Sequence, residues 1–311
     1  MVDVKALIDG YERITILSHI NPDADTIGTA LGIYTLLKAY GKEVEVVNAD
    51  LNIPQYLDFL PNFSKIKREI EFNQSLVIAC DSGSIDRLGF DLDNREILNI
   101  DHHKSNTNYG KVNIVKPTYA SASQVAFEIF RSQFKIDQAV ATCFYTALVS
   151  DTQYFSTNSV TKEVFDVASD MIAYDIDVSM VAYNLNQRRT LSSLRILSSA
   201  LQNLELHYDG ELVSMIITKE RIKEAGARYH DLMGVVDHAI SLATAKIAIV
   251  AIELEEVVRI SMRSKGIDVA TLAVMFGGGG HCSAAGFETN ELNSKKLMET
   301  LIVKIKKMGL L

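Results

Sequence analysis

Three short apolar runs each lead into residues able to hold a metal ion, and this repetition limits the fold more than any other feature of the chain. RITILS (13–18) leads to His19, Asp23 and Asp25, SLVIAC to Asp81, and EILNI to Asp101, His102 and His103. Each run has strand length and an aliphatic or β-branched character. TIGTALGIYTLLKAYG, after Asp25, has helical periodicity and a stop at Gly41. Strand and helix alternate in this way from Arg13 to about Ile100, which predicts an α/β fold with a parallel sheet and crossover helices. Ligands in such sheets bind outside the carboxyl ends of the strands. Three strands therefore bring acids and imidazoles to one edge, and Asp151, after the apolar helical stretch Gln138 to Val149, is a further candidate.

The mixture of ligand types narrows the chemistry. Structural zinc prefers thiolate and imidazole, whereas only Cys80 among the cysteines lies close in sequence to these residues. An excess of carboxylate points to a harder ion, and two imidazoles favour Mn²⁺ over Mg²⁺. Five or six candidate ligands exceed one tetrahedral shell. Two ions about 3.5–4 Å apart, bridged by a carboxylate, would use them all and activate water for attack on phosphorus.

Each piece has an ordinary reading when taken alone. Asp23 and Asp25 follow Pro22 and precede a helix, so either serves equally as a turn residue or N-cap. Asp81-Ser82-Gly83-Ser84 reads as an Asp-led turn, and a single His102 or His103 as a loop histidine. The joint placement at strand ends favours a metal site.

HINPDAD (19–25), Asp81, the triplet Asp101-His102-His103 and Asp151 resemble, in order, the four motifs of the DHH phosphoesterase superfamily. VVRISMRSKGIDVATLAVMFGGGGHCSAAGF resembles the substrate-binding DHHA1 domain with its GGGGH signature. With these two domains, the chain looks most like the bacterial bifunctional nano-RNase and pAp phosphatase subgroup. The resemblance implies one metal on His19, Asp23 and Asp81 and another on Asp25, Asp81, His102 and Asp151, with Asp81 bridging. It implies His103 at the scissile phosphate and Asp101 as an acid orienting its neighbours; Asp81, Asp101 and His103 are thus the catalytic candidates. One departure is Ala24, where many nano-RNases have glycine; it carries no ligand atom, so it bears on subgroup rather than on metal binding.

The expected division is a DHH domain over 1–187, a connecting helix over 188–207 and a smaller α/β DHHA1 domain over 208–311. Ala120 to Leu185 reads as mostly helical, with TYASASQ as a start signal. TLSSLRILSSALQNLELHYDG has helical spacing, ending at Asp209-Gly210, and reads almost equally as a connector or an ordinary packed helix. ELVSMIIT, TAKIAIVAIEL and VVRISMRS read as strands, and Glu291 to Met308 as a final helix. No internal repeat or low-complexity tract is evident.

Composition fits a cytoplasmic enzyme. The 311 residues suit two domains, and 48% apolar residues supply two cores. A formal charge of −8 argues against nonspecific binding of long double-stranded nucleic acid, which needs a basic face. Cys80, Cys143 and Cys282 are odd in number and dispersed, reading as buried thiols of a reducing compartment. No apolar run approaches a membrane span, and the N-terminus lacks a signal-like core. The resemblance allows a homodimer, but no interface is legible.

Gly277 to Gly280 would ordinarily be a turn. Following the helical stretch IDVATLAVMF and preceding His281, these glycines are expected to let backbone approach a ligand, with amides of a following helix N-terminus receiving an anion. Arg263 offers a fork for bidentate phosphate contact. The substrate-binding candidates are therefore His103, Arg263, Ser264, Gly278, Gly279, Gly280 and His281, with Arg87 a weaker one whose ordinary reading is a solvated helix-end charge. The expected chemistry is hydrolysis by a hydroxide bridging two Mn²⁺ ions, without a protein nucleophile. The cleft between the domains would limit the substrate to short oligonucleotides or nucleotide phosphates. The alternatives are cyclic-dinucleotide cleavage, pyrophosphate or polyphosphate hydrolysis, and a non-catalytic nucleotide sensor.

Overall fold

The computed structural model describes residues 3–50 and 53–311. The chain divides into two compact units, 1–188 and 189–311.

In the first unit, α1 (Val4–Asp9) precedes β1 (Arg13–Ser18), α2 (Ala24–Ala39), β2 (Glu43–Val47), β3 (Ile66–Lys67), β4 (Leu76–Cys80), β5 (Ile97–Asp101) and β6 (Val112–Val115). Four helices follow: α3 (Ala122–Arg131), α4 (Gln138–Asp151), α5 (Lys162–Ile172) and α6 (Val178–Asn186). The sheet order is β3-β2-β1-β4-β5-β6, with every pairing parallel. The chain runs outward from β1 to β3, then returns to place β4 on the other side of β1, so the strand order reverses between β1 and β4. A ligand crevice is expected at that point. The register sets Ser18 beside Cys80 and Cys80 beside Ile100. The residues that follow, His19, Asp81 and Asp101, therefore leave the sheet side by side.

Alternation along the strands builds a core on each face. Ile14, Ile16, Ile78 and Cys80 join the helical side with Phe127, Phe130 and Phe144, whereas Leu17, Val77 and Ala79 face the opposite layer. The three phenylalanines are fully buried, each worth roughly 1.5–3 kcal/mol. Helix α2 is apolar around its circumference and packs closely on α4. A Cβ at Gly28 would lie 2.7 Å from the Cys143 carbonyl oxygen and 2.9 Å from Ala147 Cβ; one at Gly32 would lie 2.5 Å from the Phe144 ring. Gly28→Ala is thus expected to destabilise the protein by about 1–3 kcal/mol through overpacking, less a gain in helix propensity. Thermal melting should show the loss.

The second unit comprises α7 (Leu191–Gln202), β7 (Glu205–His207), β8 (Leu212–Ile217), α8 (Lys219–Ala225), α9 (Val235–Ile240), β9 (Ile247–Glu253), β10 (Val258–Ser264), α10 (Ala270–Val274), β11 (Gly279–His281), β12 (Ala284–Thr289) and α11 (Ser294–Lys307). Its sheet runs β11-β12-β10-β9-β8-β7, antiparallel except for β8 with β9. Leu212, Ile249 and Ile260 face the layer of α10 and α11, while Met215, Val250 and Ile252 face the other side.

The span 188–207 differs from its sequence reading as a connecting helix. Helix stops at Gln202, residues 205–207 pair with β8, and Ile196 and Ala200 are buried in the second unit's core. The glycine run also differs, because an antiparallel hairpin follows it rather than a helix N-terminus. A Cβ at Gly278 would lie 2.1 Å from the Gly286 carbonyl oxygen, and one at Gly280 2.4 Å from that of Ala284. Close backbone approach within the hairpin is what requires glycine there. Cys80 and Cys143 are buried as expected, but Cys282 is exposed between β11 and β12. Among the described residues no helix is long and apolar enough to cross a membrane.

Candidate active site

The carboxyl edge of the first sheet gathers the expected ligands around Asp81. His19 Nε2 lies 3.5 Å from Asp81 Oδ2 and 3.9 Å from Asp23 Oδ1. On the other side, His102 Nε2 lies 3.5 Å from Asp81 Oδ1, 3.5 Å from Asp151 Oδ2 and 3.9 Å from Asp25 Oδ2. Two donor groups result, His19 with Asp23 and Asp81, and Asp25 with Asp81 and His102, each with its ligand atoms within 4.8 Å of one another. Asp81 belongs to both.

Local structure aims each ligand. Asp23 caps α2, Oδ1 accepting the N–H groups of Asp25 (3.0 Å) and Thr26 (3.1 Å), so the ordinary N-cap reading holds alongside its place in the cluster. Asp25 receives the N–H groups of Ala122 (2.7 Å) and Ser123 (3.1 Å) at the start of α3. The two imidazoles are oriented alike. His19 Nδ1 lies 2.8 Å from the Ile20 carbonyl and His102 Nδ1 3.2 Å from the Tyr119 carbonyl, contacts that turn each Nε2 toward the acids. Asp81 has a left-handed backbone, φ 57°, at the end of β4; Asp tolerates this better than most residues.

The electrostatics call for a cation. Burial first, then repulsion from Asp25, Asp23, Asp101 and Asp151, pushes the Asp81 carboxyl well above its ordinary range. Asp151 is raised by burial, then by Asp25 and Asp23; Asp25 is raised by burial despite His102 and the α3 amides. Asp81 Oδ1 is buried without a hydrogen-bond partner, and a bound cation would satisfy it. Burial, opposed by Asp23 and assisted by Arg87, lowers the His19 pKa and favours the neutral imidazole that binds metal. These residues fit a divalent metal. Cys80 does not join them, since burial holds its thiol far up in the core.

His103 and Asp101 form a further group with Asp81, His103 Nδ1 lying 3.5 Å from Asp81 Oδ1. His103 Nδ1 donates to Asp101 Oδ1 at 2.7 Å. Burial alone would raise the Asp101 carboxyl, but His103, Asn106 and the His102 N–H outweigh it and hold the pKa at about 2. Asn106 was not singled out from the sequence, though it lies three residues beyond His103. Its Nδ2 donates to Asp101 Oδ2 (2.5 Å) and to the Ser82 carbonyl (3.1 Å), while its Oδ1 accepts from Asn99 (3.1 Å). Asn106→Ala should lower kcat about 10–100-fold with metal content retained, the scale expected when an orienting partner is lost; steady-state kinetics beside metal analysis would check it.

The Arg87 guanidinium lies 3.1 Å from His19 Nδ1, behind a candidate metal ligand. In the second unit, Arg263 and Gly279 line a recess on one sheet face. Ser264 is on the opposite face of β10, its hydroxyl donating to the Ile267 carbonyl. Gly278 and Gly280 build the hairpin, and His281 ends β11, exposed.

Residues 13–148 match the DHH family, N-terminal domain, and residues 212–307 the DHHA1 domain. The chain therefore carries a DHH domain followed by a DHHA1 domain. It is 28% identical over 301 residues to the bifunctional oligoribonuclease and PAP phosphatase NrnA of Thermus thermophilus, covering 93% of this chain and 88% of that one. The NrnA of Bacillus subtilis is 25% identical over 285 residues, covering 89% of each. An exopolyphosphatase-related protein of Bacteroides fragilis has a crystal structure similar over 99% of both chains, with a TM-score of 0.88 and 26% identity. The α/β architecture with parallel and mixed sheets is thus that of the DHH and DHHA1 domains, and the relatives are hydrolases.

Proposed function

We propose that the protein hydrolyses short oligonucleotides, including linear dinucleotides, to mononucleotides, and converts pAp to AMP and phosphate, using two divalent ions, Mn²⁺ by preference. The observation carrying this reading is the double donor cluster sharing Asp81, whose buried oxygen lacks a partner. The activities named for the NrnA relatives support the substrate class.

The ions would be held by His19, Asp23 and Asp81, and by Asp25, Asp81, His102 and Asp151. When bound, they supply Lewis acidity and an activated water for attack on phosphorus. His103, held by Asp101, would present its Nε2 to a phosphoryl oxygen and meet the negative charge that accumulates there with a hydrogen bond. Asn106 keeps Asp101 in place. A net charge of −8 suits a short anion recognised by metals better than a long duplex.

The test is chromatographic. Purified protein with Mn²⁺ should release AMP from pApA, and AMP plus phosphate from pAp. Absence of AMP from both substrates, with metal loading verified, would sink the proposal; turnover confined to a cyclic dinucleotide would reassign the substrate.

A further inference from the structure

Asn48 is fully buried although it is polar. It follows β2, and the register that sets Leu17 beside Val47 carries it on to Ser18, where the chain leaves the sheet for His19. Its Nδ2 donates to Ser18 Oγ at 2.7 Å, to the His19 carbonyl at 2.9 Å and to the Ser18 carbonyl at 3.3 Å, while its Oδ1 accepts the Asp50 N–H at 2.8 Å. Both polar atoms of the amide are therefore engaged. Burying an amide is costly unless its hydrogen bonds are made, and a buried network that is fully satisfied fixes one backbone course among several.

The rest of the turn is held from other sides. The His19 N–H donates to Thr26 Oγ1 at 3.2 Å, and that hydroxyl donates to the Cys80 carbonyl at 2.9 Å. The peptide between His19 and Ile20 is gripped at both ends, its carbonyl by Asn48 and its N–H by the Arg87 carbonyl at 2.8 Å. Asn21, in the left-handed region at φ 53°, donates its N–H to Asp50 Oδ2 at 2.9 Å. The 48–50 segment thus braces the turn at Ser18, His19 and Asn21, and the turn in turn aims the imidazole whose Nε2 lies 3.5 Å from Asp81 Oδ2. The second donor group stands on different supports. Asp25 lies within α2 and receives the α3 amides, His102 follows β5, and Asp151 ends α4.

We propose that Asn48 is a positioning residue for one ion of the pair: it holds His19 toward Asp23 and Asp81 and so sets the affinity of that group, while the group of Asp25, Asp81, His102 and Asp151 keeps its own. The inference rests on the two-ion reading in the proposed function and deepens it, giving each ion a separate scaffold. Loss of Asn48 would leave a folded protein that retains one ion and releases the other.

The test is Mn²⁺ binding to the full chain, followed by titration calorimetry and by electron paramagnetic resonance, which distinguishes a spin-coupled ion pair from a single ion. The parent should take up two ions. Asn48→Ala should weaken one of them by about tenfold or more, the scale for losing a partner that orients a ligand, and leave the other unchanged; its single-ion spectrum should match that of His19→Ala. Asp50→Ala, which unties Asn21 from a half-buried position and leaves the buried amide in place, is the second variant and should weaken the same ion about threefold, being one contact further away. Both ions weakened alike in Asn48→Ala, or both unchanged, would overturn the inference; if that variant does not fold, the same outcomes in Asp50→Ala decide. A parent that binds a single ion would overturn the inference together with the two-ion reading. If the two affinities separate as expected while the metal-loaded parent yields no AMP from pApA or pAp, the positioning role stands and the hydrolytic reading falls.

Discussion

Asp81→Asn should reduce turnover by about 10³-fold or more and, in the same protein freed of metal, raise the melting temperature. The first effect follows from loss of the charge shared by both donor groups, on the scale seen when one preorganised electrostatic contact is removed. The second follows because the native carboxyl is buried among Asp25, Asp23, Asp101 and Asp151, which raise its pKa and make its ionised form costly. Asn keeps the shape and tolerates the left-handed backbone at this position, so misfolding is not the expected cause of inactivity. Turnover near that of the parent would remove Asp81 from its bridging role; a lower apo melting temperature would contradict the electrostatic account.

Chelation should lower the melting temperature, and by more at pH 8 than at pH 5. Asp25, Asp81 and Asp151 have folded pKa values raised above their unfolded ones. The metal-free fold therefore retains protons that the unfolded chain releases, and it loses stability as pH rises from about 3.9 through the raised folded values. Metal binding requires those protons to leave, so affinity grows with pH. Asp101 has the opposite sign: its contribution, present above the unfolded value, is lost only as pH falls toward about 2, and so is constant across this comparison. At a free metal concentration 100 times Kd the stabilisation is about 2.7 kcal/mol, roughly 5–11 °C for a unit of this size. Differential scanning fluorimetry with and without EDTA at the two pH values would show it; a gap that shrinks with rising pH would contradict the assignment.

The parallel sheet was legible because its strands are apolar runs bounded abruptly by polar ligands. The first six metal candidates converge because each follows a strand or ends a helix at one edge, a property that periodicity exposes. Asn106 escaped notice since it contacts no candidate metal-ligand side chain and works through hydrogen bonds to Asp101 and Ser82; only the folded loop brings those partners together. The GGGGH run misled in a different way. Glycine signals close approach, but the sequence does not state what approaches, and here it is the neighbouring strand.

The closely packed crossing of α2 and α4 has a bearing on ion choice. Gly28 touches α4 near Ala147, while Gly32, one turn on, meets Phe144, so the two helices run in opposite directions. The start of α2, with Asp25, consequently meets the end of α4, with Asp151. In the proposed metal site the two glycines would act as a caliper, setting the gap between these carboxylates from a distance. Widening it by a methyl group would shift the radius of cation the pocket accommodates, allowing selectivity to be retuned from residues that carry no ligand atom.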